Sequence, residues 1–151
     1  MTSIGGRAFN GCSALTSVTI ADSVTSIHAA TFGGCSSLRD VTLPPSVVRI
    51  GECAFLGCKA LASVTIPNGV TSIEDYAFEY CSSLQYVVLS SNITQVGYWA
   101  FNGCDSLEDV YYCGTESDWS NISISERNDQ LINATIHYNY VSHTHSYKDV
   151  V

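Results

Sequence analysis

The sequence predicts a β-rich, right-handed solenoid of short parallel strands, closed at its C-terminal end by a separate capping segment. Three observations carry this expectation. Five blocks recur along the chain: AFNGCSALTSVTI, TFGGCSSLRDVTL, AFLGCKALASVTI, AFEYCSSLQYVVL and AFNGCDSLEDVYY. Their step is 23 residues and never slips. The 151 residues are 46% hydrophobic and only 13% charged, which is too apolar for a disordered chain.

Each column of the repeat has its own chemistry. The phenylalanines are Phe9, Phe32, Phe55, Phe78 and Phe101, and the cysteines are Cys12, Cys35, Cys58, Cys81 and Cys104. The leucines are Leu15, Leu38, Leu61, Leu84 and Leu107, followed by Val18, Val41, Val64, Val87 and Val110. One coil cannot bury these positions alone, but stacking turns each series into a continuous core column. Period-two alternation places Val18 and Ile20 inward and Ser17 and Thr19 outward, the signature of a short strand. Val24 to Ile27 reads as a second extended piece. The segment around Ala8 and Phe9 is too short for a stable helix and reads as a turn or one helical turn on the convex side. Pro44, Pro45, Pro67, Asn68 and Gly69 mark corners.

The period stops after Tyr112. Residues 1–112 therefore read as the solenoid of about five coils, 113–140 as the cap, and 141–151 as a linker or tail. In the cap, Thr115 followed by Asp118 is a capping-box variant that starts a short helix through Trp119. A second helical turn is expected within 126–133, and ATIHYNY reads as a strand. Trp119 is the residue expected to cover the last coil's core. The opening TSIGGRAF matches the mid-coil TSIEDYAF, and no secretory leader pattern is present. The expectation is an excised piece with Met1 added, whose first coil has an open edge available for self-association.

The repeat resembles the 23-residue leucine-rich repeat of the BspA-like, or Treponema pallidum, type. The resemblance spans about Ile4 to Tyr112, with five copies matching at seven or more columns. Thr31 in the small-residue column, His28 and Glu74 after the isoleucine, and Tyr80 before the cysteine depart from the pattern without breaking register. The family's solenoid counts as α/β by convention. The resemblance implies an exported, extracellular or cell-surface protein that uses its concave strand face to bind a protein or glycan.

Charge and motifs narrow the function. The net charge is -8, and an acidic chain repels phosphate, so nucleic acid is a poor partner. No apolar run reaches the ~18–20 residues of a membrane helix, so insertion is not expected. No nucleophile elbow, P-loop or zinc-protease motif occurs, so no enzyme activity and no cofactor are expected. The ladder cysteines read as small buried thiols. One coil apart, their Cβ atoms would lie ~4.8 Å from each other. That is beyond disulfide reach. A thiol reagent is expected to reach at most Cys53 and Cys113. His137, His143 and His145 cluster near the end; a His-x-His pair on a tail can chelate a metal adventitiously, and no functional metal is expected.

The outward strand positions remain. One column is Ser17, Asp40, Ser63, Tyr86 and Asp109, and the next is Thr19, Thr42, Thr65, Val88 and Tyr111. The first three coils are plain. The last two carry Tyr86, Val88, Asp109 and Tyr111 beside Gln85 and Glu108, a mixture typical of a binding patch. The same residues also read as a surface packed by the C-terminal segment. Three functions fit: a non-enzymatic surface interaction module, a structural spacer, and a carbohydrate-binding accessory domain using Tyr86, Tyr111 and Trp99.

Overall fold

The computed structural model describes residues 3–141. His143 and His145 lie outside the described residues. Each coil contributes two short strands. Along one side of the stack run β1 (Ser3–Ile4), β3 (Ser26–Ile27), β5 (Arg49–Ile50), β7 (Ser72–Ile73) and β9 (Gln95–Val96). The other side, hereafter the strand face, is built from β2 (Ser17–Thr19), β4 (Asp40–Thr42), β6 (Ser63–Thr65), β8 (Tyr86–Leu89) and β10 (Asp109–Tyr112). All pairings are parallel and keep the repeat's register, as in Val18 opposite Val41 and Val64 opposite Val87. The fold is thus a parallel β-solenoid, as the step predicts.

Between the two strand sides, the turn segment holds the coils together by an alternating scheme. The N–H groups of Arg7, Phe9 and Gly11 donate to Ala29, Thr31 and Gly33 of the next coil, at 2.7–2.9 Å. The intervening Ala8 and Asn10 close local turns onto Gly5 and Arg7. The scheme repeats through Ala30, Cys53 and Tyr76, and it requires a left-handed residue in every coil. Arg7, Ala30, Cys53, Tyr76 and Trp99 all have φ between 56° and 61°. A non-glycine residue there costs about 1–2 kcal/mol, which the inter-coil bonds offset. Nothing in these five side chains signals that conformation.

The core columns stack as expected from the second coil onward. Phe32, Phe55, Phe78 and Phe101 are fully buried, and successive rings lie 5.3–5.5 Å apart and nearly parallel. The cysteine column does more than fill space. Cys35, Cys58 and Cys81 donate S–H to the carbonyls of Phe9, Phe32 and Phe55 at 3.2 Å, and Cys104 to that of Phe78 at 3.1 Å. All seven cysteines are free thiols. The first coil departs from expectation: Phe9 and Cys12 are exposed, and Leu15 is only half-buried. Among the described residues no coil covers them on the N-terminal side, so Cys12 joins Cys113 as an accessible thiol.

The segment after Tyr112 adds a sixth, irregular turn. Thr115 caps α1 (Glu116–Ser120) with a full capping box. β11 (Ser123–Ile124) pairs with β9, α2 (Asp129–Asn133) follows, and β12 (Thr135–His137) pairs with β10. The step lengthens here to 26 residues, from Asp109 to Thr135. Trp119 packs edge-on against the buried Tyr112 ring, 5.2 Å between centroids, but stays half-exposed. The core is closed instead by Leu131 and Asn128, both fully buried. Asn128 replaces the missing next coil. Its Oδ1 accepts the Phe101 N–H at 3.0 Å, and its Nδ2 donates to the carbonyls of Gly97 and Ser125, each at 2.9 Å.

One boundary within the stack differs from the others. The sheets divide between the second and third coils, into β2–β4 and β6–β8–β10–β12 on one side and β1–β3–β5 and β7–β9–β11 on the other. Arg39, Gln85 and Glu108 each donate N–H to the preceding coil, whereas Ala62, at the same column, makes no such bond. Thr71 and Glu74 likewise lack the bonds made by Thr94 and Gly97. The phenylalanine stack and turn bonds cross this boundary unbroken. Amide exchange should therefore be faster at Ala62, Thr71 and Glu74 than at Gln85, Thr94 and Gly97, by about tenfold or more. Equal protection across the two sets would show that the strand ladders are continuous in solution.

Candidate functional site

The strand face presents the outward residues of β6, β8, β10 and β12 in register. Ser63, Tyr86, Asp109 and Thr135 form one row, and Thr65, Val88, Tyr111 and His137 the next. The alternation that sends Val87 and Val110 into the core sends these residues outward.

Of the residues singled out in the sequence, Tyr86 is 39% exposed and Glu108 is exposed, whereas Tyr111 and Asp109 are half-buried. Val88 is only 7% exposed, so it supports the surface without offering much contact area. Tyr86 and Tyr111 meet edge to face at 5.6 Å. Tyr111 also stacks on His137, with centroids 4.6 Å apart and planes within 13°, and touches Tyr140 at 4.9 Å. The C-terminal segment packs on Tyr111 and leaves Tyr86 and Glu108 open.

Asp109 is paired within the chain. Its Oδ1 lies 2.8 Å from His137 Nε2. A carboxylate only accepts, so Nε2 carries the proton in this contact. The pair is partly exposed, where such contacts contribute about 0.2–1 kcal/mol. Its effect is orientation: the imidazole is held flat on Tyr111, and one carboxylate oxygen is occupied. His137 and Tyr140 were missed as strand-face residues. The strand ATIHYNY was legible, but the change of step from 23 to 26 hid which column His137 would join.

Trp99 does not belong to this surface. It occupies the left-handed turn column, beside Tyr76 at 6.2 Å and beneath the Arg127 guanidinium at 5.4 Å. It therefore cannot form one platform with Tyr86 and Tyr111.

Next to the aromatic cluster lies an open groove of about 750 Å³ across β4, β6 and β8, bounded by Pro67, Asn92, Cys113, Tyr140 and Val141. Its lining is mainly aliphatic, hydroxyl and amide side chains, with no carboxylate, histidine or cation. Burial pushes the Cys113 thiol up, away from an activated nucleophile. Among the described residues there is no group of three or more metal-ligating side chains.

Comparison with known proteins agrees with this geometry. The chain is similar to a leucine rich cell surface protein from Faecalibacterium prausnitzii A2-165, at 36% identity and a TM-score of 0.78. That match covers 81% of this chain but 32% of the other, so the chain spans about a third of its relative's length. The Treponema pallidum leucine rich repeat protein matches at 22% identity and a TM-score of 0.70, over 99% of this chain and 75% of that one. The pneumococcal vaccine antigen PcpA matches at 18% identity and 0.70, over 93% and 40%. These last two show a shared fold. No curated protein matches. The BspA type leucine rich repeat region matches residues 2–129 in six copies, and the chain belongs to that family.

Proposed function

We propose that this chain is a non-enzymatic interaction module of a cell-surface protein, and that it contacts a macromolecule through the strand face of its last coils. The observation that carries this reading is the contrast along one face. Ser17, Thr19, Thr42 and Ser63 are bland, whereas Tyr86, Tyr111, Asp109 and Glu108 concentrate aromatic area and negative charge at the C-terminal end. Tyrosine supplies large contact area and a hydroxyl at low entropic cost. The acids favour a basic protein surface, so binding weakens with added salt. The extracellular setting is inferred from the similarity to a cell surface protein. No helix among the described residues is long and apolar enough to cross a membrane.

The test is capture of basic proteins from host extracellular matrix, followed by titration of paired variants. Tyr86→Ala with Tyr111→Ala should weaken binding by roughly 1–2 kcal/mol per tyrosine, while Thr19→Ala with Thr42→Ala should change little. Equal losses in both pairs would move the site elsewhere. A spacer role is the second reading, favoured by the plain first three coils. It gains if neither matrix proteins nor a glycan array yields a ligand.

A further inference from the structure

We propose that Asn68 is a site of spontaneous deamidation, a modification that places a carboxylate on the rim of the strand-face groove. The chain contains three Asn-Gly pairs, at Asn10–Gly11, Asn68–Gly69 and Asn102–Gly103. In each, the glycine has no side chain to shield its backbone nitrogen from the asparagine amide. The reaction needs that nitrogen as nucleophile, and it needs an asparagine amide able to turn and leave. The fold treats the three pairs differently.

Two of the pairs are held. The Gly11 N–H donates to the Gly33 carbonyl at 2.7 Å, so the nitrogen that would attack is bound to the next coil. Asn102 Nδ2 donates to Glu79 Oε2 at 3.0 Å, and the Asn102 carbonyl accepts the Tyr80 N–H at 2.7 Å. The Tyr80 ring also lies against Gly103, where a Cβ would collide with it. Asn68 and Gly69, by contrast, are both exposed at the corner that follows Pro67. Among the described residues, the Gly69 N–H donates to no group and the Asn68 side chain makes no hydrogen bond. Two contacts restrain this corner. The Val70 N–H donates to the Pro67 carbonyl at 3.1 Å, and Asn92 Nδ2 donates to the Asn68 carbonyl at 2.9 Å. Rotation about the Asn68 Cα–C bond brings the Gly69 nitrogen toward Cγ and carries that carbonyl away from Asn92. The Asn92 amide is therefore a brake on the reaction.

In the first step the Gly69 nitrogen loses its proton and bonds to Asn68 Cγ. The Cγ–Nδ2 bond breaks, and ammonia leaves with that proton and the two amide hydrogens. The resulting succinimide adds one water. Opening at Cγ leaves aspartate, and opening at the backbone carbonyl carbon leaves isoaspartate, whose chain runs through Cβ. Nothing is oxidised or reduced. Either product puts a negative charge beside Ser90, Ser91 and Asn92, in a groove whose lining otherwise carries none.

The experiment incubates the folded protein at neutral pH and samples it over time. Cleavage after glutamate places the three sites in separate peptides, 1–52, 53–74 and 80–108. Fragmentation in the mass spectrometer then assigns each conversion, and enzymatic carboxyl methylation marks isoaspartate. Asn68 should convert at least about tenfold faster than Asn10 or Asn102, and the three rates should converge in urea, where the fold no longer distinguishes them. Asn92→Ala should speed conversion at Asn68 by about threefold. Gly69→Ala should slow it by about tenfold or more. Alanine is tolerated there, because Gly69 is not left-handed, unlike Gly11 and Gly103 at φ 76° and 78°, and its Cβ would press on the exposed Val48 side chain. Equal rates at the three sites of the folded protein, or faster conversion at Asn10 or Asn102, would overturn the proposal. So would an Asn68 that persists in the folded protein while it converts in urea.

Discussion

Asn128→Ala should destabilise the protein by about 3–5 kcal/mol. The side chain is fully buried and holds three strong contacts, to the Phe101 N–H and to the Gly97 and Ser125 carbonyls. A typical hydrogen bond contributes a net ~0.5–1.5 kcal/mol, but a buried group left without its partner costs about 1–3 kcal/mol. Alanine strands the Phe101 N–H at the end of the core, where every earlier coil supplies a backbone carbonyl. Asn128→Asp keeps the acceptor but aims a second oxygen at two carbonyls, so it should be no better. Urea unfolding at neutral pH measures both. Asn133→Ala, an exposed change in α2, is the control and should stay within ~0.5 kcal/mol. A loss below about 1 kcal/mol in Asn128→Ala would mean that water or another group reaches Phe101 easily, and that the cap is not closed.

Alkaline pH should unfold the protein through its cysteine ladder. Burial pushes the thiols of Cys58 and Cys104 up to about 12 from an ordinary value of 9.0, and raises Cys81 well above it. The folded state therefore holds these protons where the unfolded chain releases them. The stability contribution is complete below about pH 9 and is lost as pH rises toward 12. Above pH 9 each thiol lowers stability by about 1.4 kcal/mol per pH unit, so three together give roughly 4 kcal/mol at pH 10. Cys35, Cys53, Cys113 and the Tyr112 hydroxyl, each raised first of all by burial, shift in the same direction and add to the trend. The check is the urea midpoint from pH 7.5 to 10.5 under reducing conditions. Cys81→Ser keeps a donor for the Phe55 carbonyl but cannot titrate in this range, so it should remove about 1.4 kcal/mol of the loss per pH unit. A midpoint that stays constant through pH 10 would contradict the buried, proton-bearing ladder.

These two predictions draw on different kinds of information. The thiol column was legible as a step of 23, and its burial follows from stacking. That the thiols donate to phenylalanine carbonyls was not legible, because a buried cysteine and a buried alanine fit the same pattern. Asn128 was invisible to the repeat. It falls where the period has ended, and an asparagine before a short helix reads as an ordinary cap. In fact its side chain makes no capping bond to α2 and serves the preceding coil. Trp119 shows the reverse error. A large aromatic in a capping segment looks like the plug, yet its ring rests on Tyr112 at the rim while the smaller Leu131 fills the centre.

The strand face divides along the same line. The rows of Tyr86 with Asp109 and Val88 with Tyr111 follow from period two within a strand and a constant step between strands. Both are local properties that a sequence carries in full. His137, Tyr140 and the 2.8 Å contact with Asp109 depend on how the irregular sixth turn folds back. That path is set by where β11 and β12 find partners, not by any repeat. By itself, the sequence determined the solenoid, its register and the inward or outward sense of each column, because one repeated hydrophobic pattern has one way to bury itself. Only the tertiary structure decided which of those positions stay open. Exposure at the two ends of the stack depends on what lies beyond each end coil. Among the described residues nothing covers Phe9 and Cys12, whereas one asparagine side chain covers Phe101.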